Sequence, residues 1–487
     1  MKNALKTATN LTHTENGAMT FHSSMSACLD LFAAIGGLRN ASDAEIMKRF
    51  QRAWAENRDD AIRILLYARD VRGGLGERRI FRTILEALAA AEPGSIRKNL
   101  HHIPEYGRYD DLFLLLDTPV REDMLRLLRE QLTLDQQALA SEDAPVSLLG
   151  KWMPSANASS RTTRQLGREM ARHLHMTDAA YRRLLTALRA RISIIENNLR
   201  EKRYTFDYQQ VPSQALYKYR NAFWRNDEDR YSAYLKGVQS GDLRMHTQTL
   251  MPYQVIRPLL GHNAPSAQER LSAQTAWEAM PDYTREGNAL AVVDGSGSMY
   301  TGQSPEPINV ALSLGLYFAQ HNQGAFGNCF LTFSENPKLV EIKGTDLYEQ
   351  VRYAASHNEV ANTNIQKTFE VLLEAAITKG AKQNELPDTL YIISDMEFDV
   401  CTQDASLTNF QYAKALYAQH GYQLPKLVYW NVASRAQQMP VTMNEVGTAL
   451  VSGCNPRLFE MILQDNLNPY MIMRQVLDAE RYARIVA

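Results

Sequence analysis

Apolar positions fall into two regimes along this chain. From about residue 22 to 260 they recur at helical spacing. In residues 177–200, Tyr181, Leu184, Leu185, Leu188, Ile192, Ile195 and Leu199 follow i, i+3, i+4 and i+7 intervals after a capping Thr177 or Asp178. Ile62, Leu65 and Leu66, then Ile80, Phe81, Ile84, Leu85 and Leu88, predict a helix pair with Gly73-Gly74-Leu75-Gly76 between them. Strand-like alternation is scarce here, which predicts a helical-repeat body of degenerate period. After residue 286 the pattern changes. Short β-rich runs at 289–293, 328–334, 338–342, 389–393, 427–432 and 447–452 alternate with helical stretches near 307–321, 345–355, 364–378, 408–420, 456–464 and 468–484. That alternation predicts a doubly wound α/β domain of the Rossmann-like kind. The expected organisation is a flexible 1–18, a helical 19–261, a connecting 262–285 and an α/β 286–487.

The 487 residues suffice for two or three domains. A net charge of −1 hides an asymmetry: residues 1–285 carry 40 Lys and Arg against 33 Asp and Glu, and residues 286–487 carry 13 against 21. Residues 151–220 alone hold 14 basic and 5 acidic side chains. A basic half joined to an acidic half points to two jobs, one facing a polyanion. The four cysteines lie far apart with no C-x-x-C pair, which suits a reducing compartment. No apolar run is long enough to span a bilayer, and residues 1–10 lack the apolar core of a secretory signal. A cytoplasmic protein without a membrane partner is expected.

The candidate chemistry begins at Ala291-Val292-Val293-Asp294-Gly295-Ser296-Gly297-Ser298-Met299. A loop after a strand can aim Asp294, Ser296 and Ser298 at one point, because alternate residues point the same way. One carboxylate with neutral oxygens suits a hard cation such as Mg²⁺ or Mn²⁺, with a position left open for an outside ligand. Thr363, before an expected helix, offers a third hydroxyl. Asp395 ends the apolar run Leu390 to Ile393, and parallel strand ends converge on one sheet edge, so it can face Asp294. The alternative is a serine-rich turn with capping hydroxyls. Glu397 and Asp399 add acids that tune a cation or cap the next helix.

This three-part pattern resembles the metal-ion-dependent adhesion site of von Willebrand factor A domains, over roughly residues 286–487. The resemblance implies hydroxyl ligands from Ser296, Ser298 and Thr363, and direct or water-mediated roles for Asp294 and Asp395. It also implies a protein partner that offers an acidic residue to the metal.

The helical half has a likeness of its own. Thr14 to Ala18 with Ala27 to Phe32, Arg69 to Arg78, and Tyr106 to Leu112 resemble segments of Ro/TROVE-type proteins. Lys151 to Ser155, Val211 to Ser213 and Ser394 to Asp399 resemble a family that places a TROVE-like region before an A-type domain. The likeness implies HEAT-like repeats and a small structured or misfolded RNA as partner, without DNA sequence specificity. RNA binding needs a basic track and planar groups for bases. Lys151, Arg161, Arg164, Arg168, Arg172, Arg182, Arg189, Arg200, Lys202, Arg203, Lys218 and Arg220 supply the first. Trp152, Tyr204, Tyr208, Tyr217, Tyr219 and Trp224 interleave with them, or pack between helices.

Other chemistry finds less support. Gly73 to Gly76 lacks the G-K-[ST] ending of a phosphate loop and follows a helix. Asp110 or Asp111 reads as a helix cap. His173 and His175, two apart, point to different faces of a helix. Asp294 stands where a nucleophile elbow around Ser296 requires glycine. A non-enzymatic RNA-binding scaffold is therefore expected, with a metal-site adaptor or a metal-dependent phosphoesterase as alternatives.

Overall fold

The computed structural model describes residues 9–141, 144–284, 287–358, 364–399, 407–462 and 468–487. They divide into two compact units: residues 1–64 with 235–484, and residues 65–234 with 485–487.

The first unit is built on a six-stranded mixed sheet and a small hairpin. The hairpin pairs β1 (Leu11–His13) antiparallel with β2 (Met19–Phe21). The sheet comprises β3 (Ala289–Asp294), β4 (Cys329–Phe333), β5 (Leu339–Glu341), β6 (Thr389–Ser394), β7 (Lys426–Asn431) and β8 (Thr448–Ser452). Its order is β5-β4-β3-β6-β7-β8, all parallel except β5, which pairs antiparallel with β4 at the edge. All six expected strands are present. Every residue of β3 is buried, as a run of Ala, Leu and Val closed by one acid requires of a strand covered on both faces.

Helices lie between the strands. Pro307–His321 starts on proline, whose missing N–H costs nothing there. It crosses β3 closely at Gly315, where a Cβ would stand 2.3 Å from Val293 Cγ2. That close approach pins the strand whose end carries Asp294. Asn364 caps Ile365–Lys379, and Gly380 ends that helix at φ +61°, a conformation glycine adopts without strain. The expected helix 468–484 is two pieces, Pro469–Leu477 and Glu480–Ala483.

The N-terminal segment departs from expectation. Residues 9–18 are not a loose tail: the hairpin bridges Gly17 to Asp399 and Phe21 to Met439. Helices Ala27–Ala34 and Asp43–Glu56 also belong to this unit rather than to a separate 19–261 body. A Cβ on Gly36 would stand 2.4 Å from the Ser452 carbonyl, so this segment lies directly against the end of β8. Arg49 donates to Ser434 Oγ and the Ala436 carbonyl at 3.0 and 2.7 Å. Local periodicity shows that a helix has an apolar face, not which core that face meets.

The second unit is helical. Arg79–Ala91, Arg121–Leu139, Arg161–His173 and Asp178–Arg191 are its longer helices. Gly73 to Gly76 forms the expected turn; a Cβ on Gly74 would meet the Tyr67 carbonyl at 2.0 Å. Thr177 caps Asp178–Arg191 as expected, accepting from the Ala180 N–H. The helix expected through residue 200 instead breaks at Ser193, which lies at φ +53°, and resumes at Ile195–Arg200. Arg191 donates to the Ser141 and Ala144 carbonyls at 2.9 and 3.1 Å, which ties down the last turn before the break.

Candidate metal centre and basic surface

The strand order reverses between β3 and β6, and ligands of open α/β sheets gather at that switch point. Val293 pairs with Ile393, so Asp294 and Ser394 end their strands side by side. Asp294 is fully buried. Its Oδ1 accepts the Ser296 N–H at 2.9 Å, and its Oδ2 accepts the Ser394 hydroxyl at 2.5 Å. Ser296 Oγ and Ser298 Oγ lie 3.0 Å apart. Asp395, 1% exposed, accepts the Glu397 N–H at 3.2 Å and faces the Arg435 guanidinium at 3.4 Å. Met396 takes φ +69°, unusual for a side chain with a Cβ, and its N–H bonds Ser394 Oγ. That tight turn holds Ser394, Asp395 and Glu397 in place.

Burial pushes the Asp294 carboxyl up to about 7, with the Asp395 charge adding to it. Two carboxylates thus share one dry strand-end site. With the Ser296 and Ser298 hydroxyls they form an oxygen donor set that fits a small hard cation. Ser334, one residue past β4 at the same edge, buries a hydroxyl that has no hydrogen-bond partner among the described residues. Those residues contain no group of three or more His, Cys, Asp or Glu placed to hold a metal. Thr363 lies outside the described residues.

The N-terminal hairpin borders this centre. Glu397, 2% exposed, accepts the Glu15 N–H at 3.0 Å and the Gln438 amide at 3.0 and 2.8 Å. Asn16 donates to the Glu397 carbonyl, and Thr14 to the Phe398 carbonyl. Arg435 bridges Asp395 to Glu15, the latter at 2.8 Å. Burial, with the Asp395 and Glu15 charges, raises the Glu397 carboxyl to about 7. Glu397 therefore anchors the hairpin rather than capping a helix. Ser394, Arg435 and Glu15 carried no local signal, because their partners lie up to 420 positions away.

The basic residues of 151–220 separate into two groups. Arg161, Arg168, Arg172, Arg182, Arg200, Lys202, Arg203 and Lys218 are exposed, whereas Lys151, Arg164, Arg189 and Arg220 are half-buried. Arg189 is structural. Its guanidinium donates to the Gly150 and Met153 carbonyls and Ser155 Oγ at 2.9, 2.6 and 2.6 Å, and burial lowers its pKa. Arg189→Ala strands these acceptors and is expected to cost about 2–3 kcal/mol in a denaturant titration of the full chain. A surface role would leave that midpoint unchanged. Of the interleaved aromatics, Tyr208 and Trp224 are core, Tyr208 stacking at 5.2 Å on Tyr234 and bonding Asp227. Trp152 stays partly exposed.

Among the described residues no helix is long and apolar enough to cross a membrane. The family described as Domain of unknown function (DUF2828) matches residues 14–120 and 122–286, more than half of the chain. A second, described as Domain of unknown function (DUF7788), matches residues 288–478. A protein of Acanthamoeba polyphaga mimivirus, named only as uncharacterised, is 28% identical, covering 96% of this chain and 87% of its own. Among solved structures, the Deinococcus radiodurans Ro (RSR) protein aligns over 94% of this chain and 93% of its own, at 14% identity and a TM-score of 0.36.

Proposed function

The chain belongs to the family described as Domain of unknown function (DUF2828), and on that premise we propose that it is a non-enzymatic, RNA-binding scaffold. The helical unit, read as degenerate HEAT-like repeats, carries the RNA. The α/β part, read as a von Willebrand factor A-like domain, holds Mg²⁺ or Mn²⁺ through Asp294, Ser296, Ser298, Asp395 and Thr363. Bound there, the cation supplies Lewis acidity to an acidic residue of a protein partner. A hydrolase would need a general base or second metal beside the first, and no His approaches the Asp294 motif in sequence, which leaves His321 and His357 to reach it only through space.

The observation that carries the RNA reading is the charge left over on helices Arg161–His173 and Asp178–Arg191. Arg161, Arg168, Arg172 and Arg182 are exposed there, and among the described residues only Arg168 of these has a carboxylate within ion-pair distance, Asp178 at 3.4 Å. Such unneutralised charge suits a phosphate backbone, whose counterions are released on contact. The short motifs that resemble Ro/TROVE proteins point the same way.

The test is fluorescence anisotropy with a labelled single-stranded oligoribonucleotide across a salt series. Binding should weaken steeply with salt, and replacing Arg161, Arg168 and Arg172 together by Glu should lower affinity at least about tenfold. Absence of salt-sensitive binding by the wild type leaves the adaptor reading, in which the metal site acts without RNA.

A further inference from the structure

A second cluster of guanidinium groups lies outside residues 151–220. The Asp110 carboxylate accepts from Arg78 and Arg82 at 2.8 Å each and from two nitrogens of Arg108 at 2.9 Å each. The neighbouring Asp111 carboxylate is taken by Arg69 at 2.8 Å and by Arg82 at 2.6 Å. Four guanidiniums thus share two carboxylates. Among the described residues the network therefore keeps a surplus of positive charge. The surplus faces water, since the Arg78 side chain is 49% exposed while Arg69 is 2% exposed. Burial and the adjacent Arg108 and Arg82 charges press the Arg78 pKa below its ordinary value.

An aromatic platform adjoins the cluster. The Arg108 guanidinium carbon stands 4.1 Å from the centre of the Trp152 ring, and the Lys151 ammonium 5.5 Å from it. Trp152 and Lys151 both remain partly exposed. Guanidinium forks match the paired non-bridging oxygens of a phosphate, and an indole beside them offers a face for a base.

We infer that Arg78, Arg82 and Arg108, beside Trp152, form a phosphodiester-binding site for a single-stranded polynucleotide. The inference rests on the RNA reading and adds a contact point remote in sequence from the arginines that carry it. Asp110 acts there as an internal competitor, occupying the guanidiniums that a phosphate would engage.

Two substitutions test this with opposite signs, read by anisotropy of the full chain with a labelled single-stranded oligoribonucleotide. Arg78→Ala removes one hydrogen bond from a half-exposed side chain, so the fold should hold. It should weaken binding about three- to tenfold and flatten the log–log salt dependence by about 0.7, the single-strand value for one phosphate. Asp110→Asn should tighten binding, because it releases guanidiniums. If Asp110→Asn fails to fold, Arg78→Glu replaces it and should weaken binding more than Arg78→Ala. Wild-type binding with an affinity and slope unmoved by Arg78→Ala overturns the site and leaves the RNA reading standing. Absence of wild-type binding overturns both. A folded Asp110→Asn protein that binds more weakly also overturns the site.

Discussion

Asp294→Asn is expected to stabilise the cation-free protein and, in the same molecule, to abolish its response to divalent cations. The two effects have one cause. The Asp294 carboxyl is raised to about 7 by burial and by Asp395, whereas in the unfolded chain it titrates near its ordinary value of 3.8. Between those limits the unfolded chain has lost the proton that the folded protein keeps. Stability contributed by this group is therefore full below about pH 4, falls as pH rises, and is lost above about 7. An amide is neutral throughout and keeps an oxygen for the Ser394 hydroxyl or the Ser296 N–H. At pH 8 without cations the variant should be more stable by about 1–3 kcal/mol, the advantage shrinking toward pH 4. With Mg²⁺ or Mn²⁺ in the proposed site the wild type should recover that difference or overtake the variant. A ligand at a hundred times its dissociation constant stabilises the wild type by about 2.7 kcal/mol, and the variant should show none of this. Denaturant titrations at pH 5 and pH 8, with and without cation, read all four states. An Asn variant less stable than wild type in chelator at pH 8 contradicts the charge argument, and a retained cation response removes Asp294 from the ligand set.

The α/β part was legible because its signals are local. Alternating runs gave six strands, and parallel topology brings Asp294 at the end of β3 and Asp395 just past β6 to one edge. The hydroxyl that bonds Asp294 was less legible: Ser394 follows the apolar run with no chemical signal of its own, and only the pairing of β3 with β6 makes it a donor. Arg435 and the hairpin were invisible for the same reason. Each is defined by its partner, and sequence spacing does not report contacts between residues 15 and 397 or 435. The arginines misled in one direction. Lys151, Arg161 and Arg189 look alike in a string of letters, yet Arg189 is consumed by backbone carbonyls. The break at Ser193 was missed because apolar spacing continues across it while the backbone turns left-handed. What composition did convey was the surplus of positive charge in the first part of the chain. It did not convey that part of that surplus gathers around Asp110.

Asp111→Ala is expected to destabilise the helical unit by about 3–5 kcal/mol, the usual cost of removing one partner from a buried ion pair. Asp111 is fully buried and Arg69 is 2% exposed. The carboxylate holds Arg69 through two nitrogens at 2.8 Å, Arg82 at 2.6 Å and the Arg108 N–H at 3.1 Å. Alanine leaves the Arg69 guanidinium in a dry site with its charge unpaired. The penalty comes from the stranded cation, so removing the cation as well should recover part of it. Arg69→Met with Asp111→Leu should unfold at a higher denaturant concentration than Asp111→Ala alone, since apolar isosteres often replace a buried pair at little cost. A double variant no better than the single one would mean that Asp111 acts mainly through Arg82 and the Arg108 N–H, not through Arg69. Asp110 provides the contrast within the same cluster. Its side chain is 17% exposed, and two of its partners, Arg82 and Arg108, are 24% and 27% exposed. Those groups keep solvent when the carboxylate goes, so Asp110→Asn should cost about 1 kcal/mol or less. The same four arginines would then divide by function, with Asp111 holding the fold and Asp110 setting how much positive charge is free to meet a phosphate.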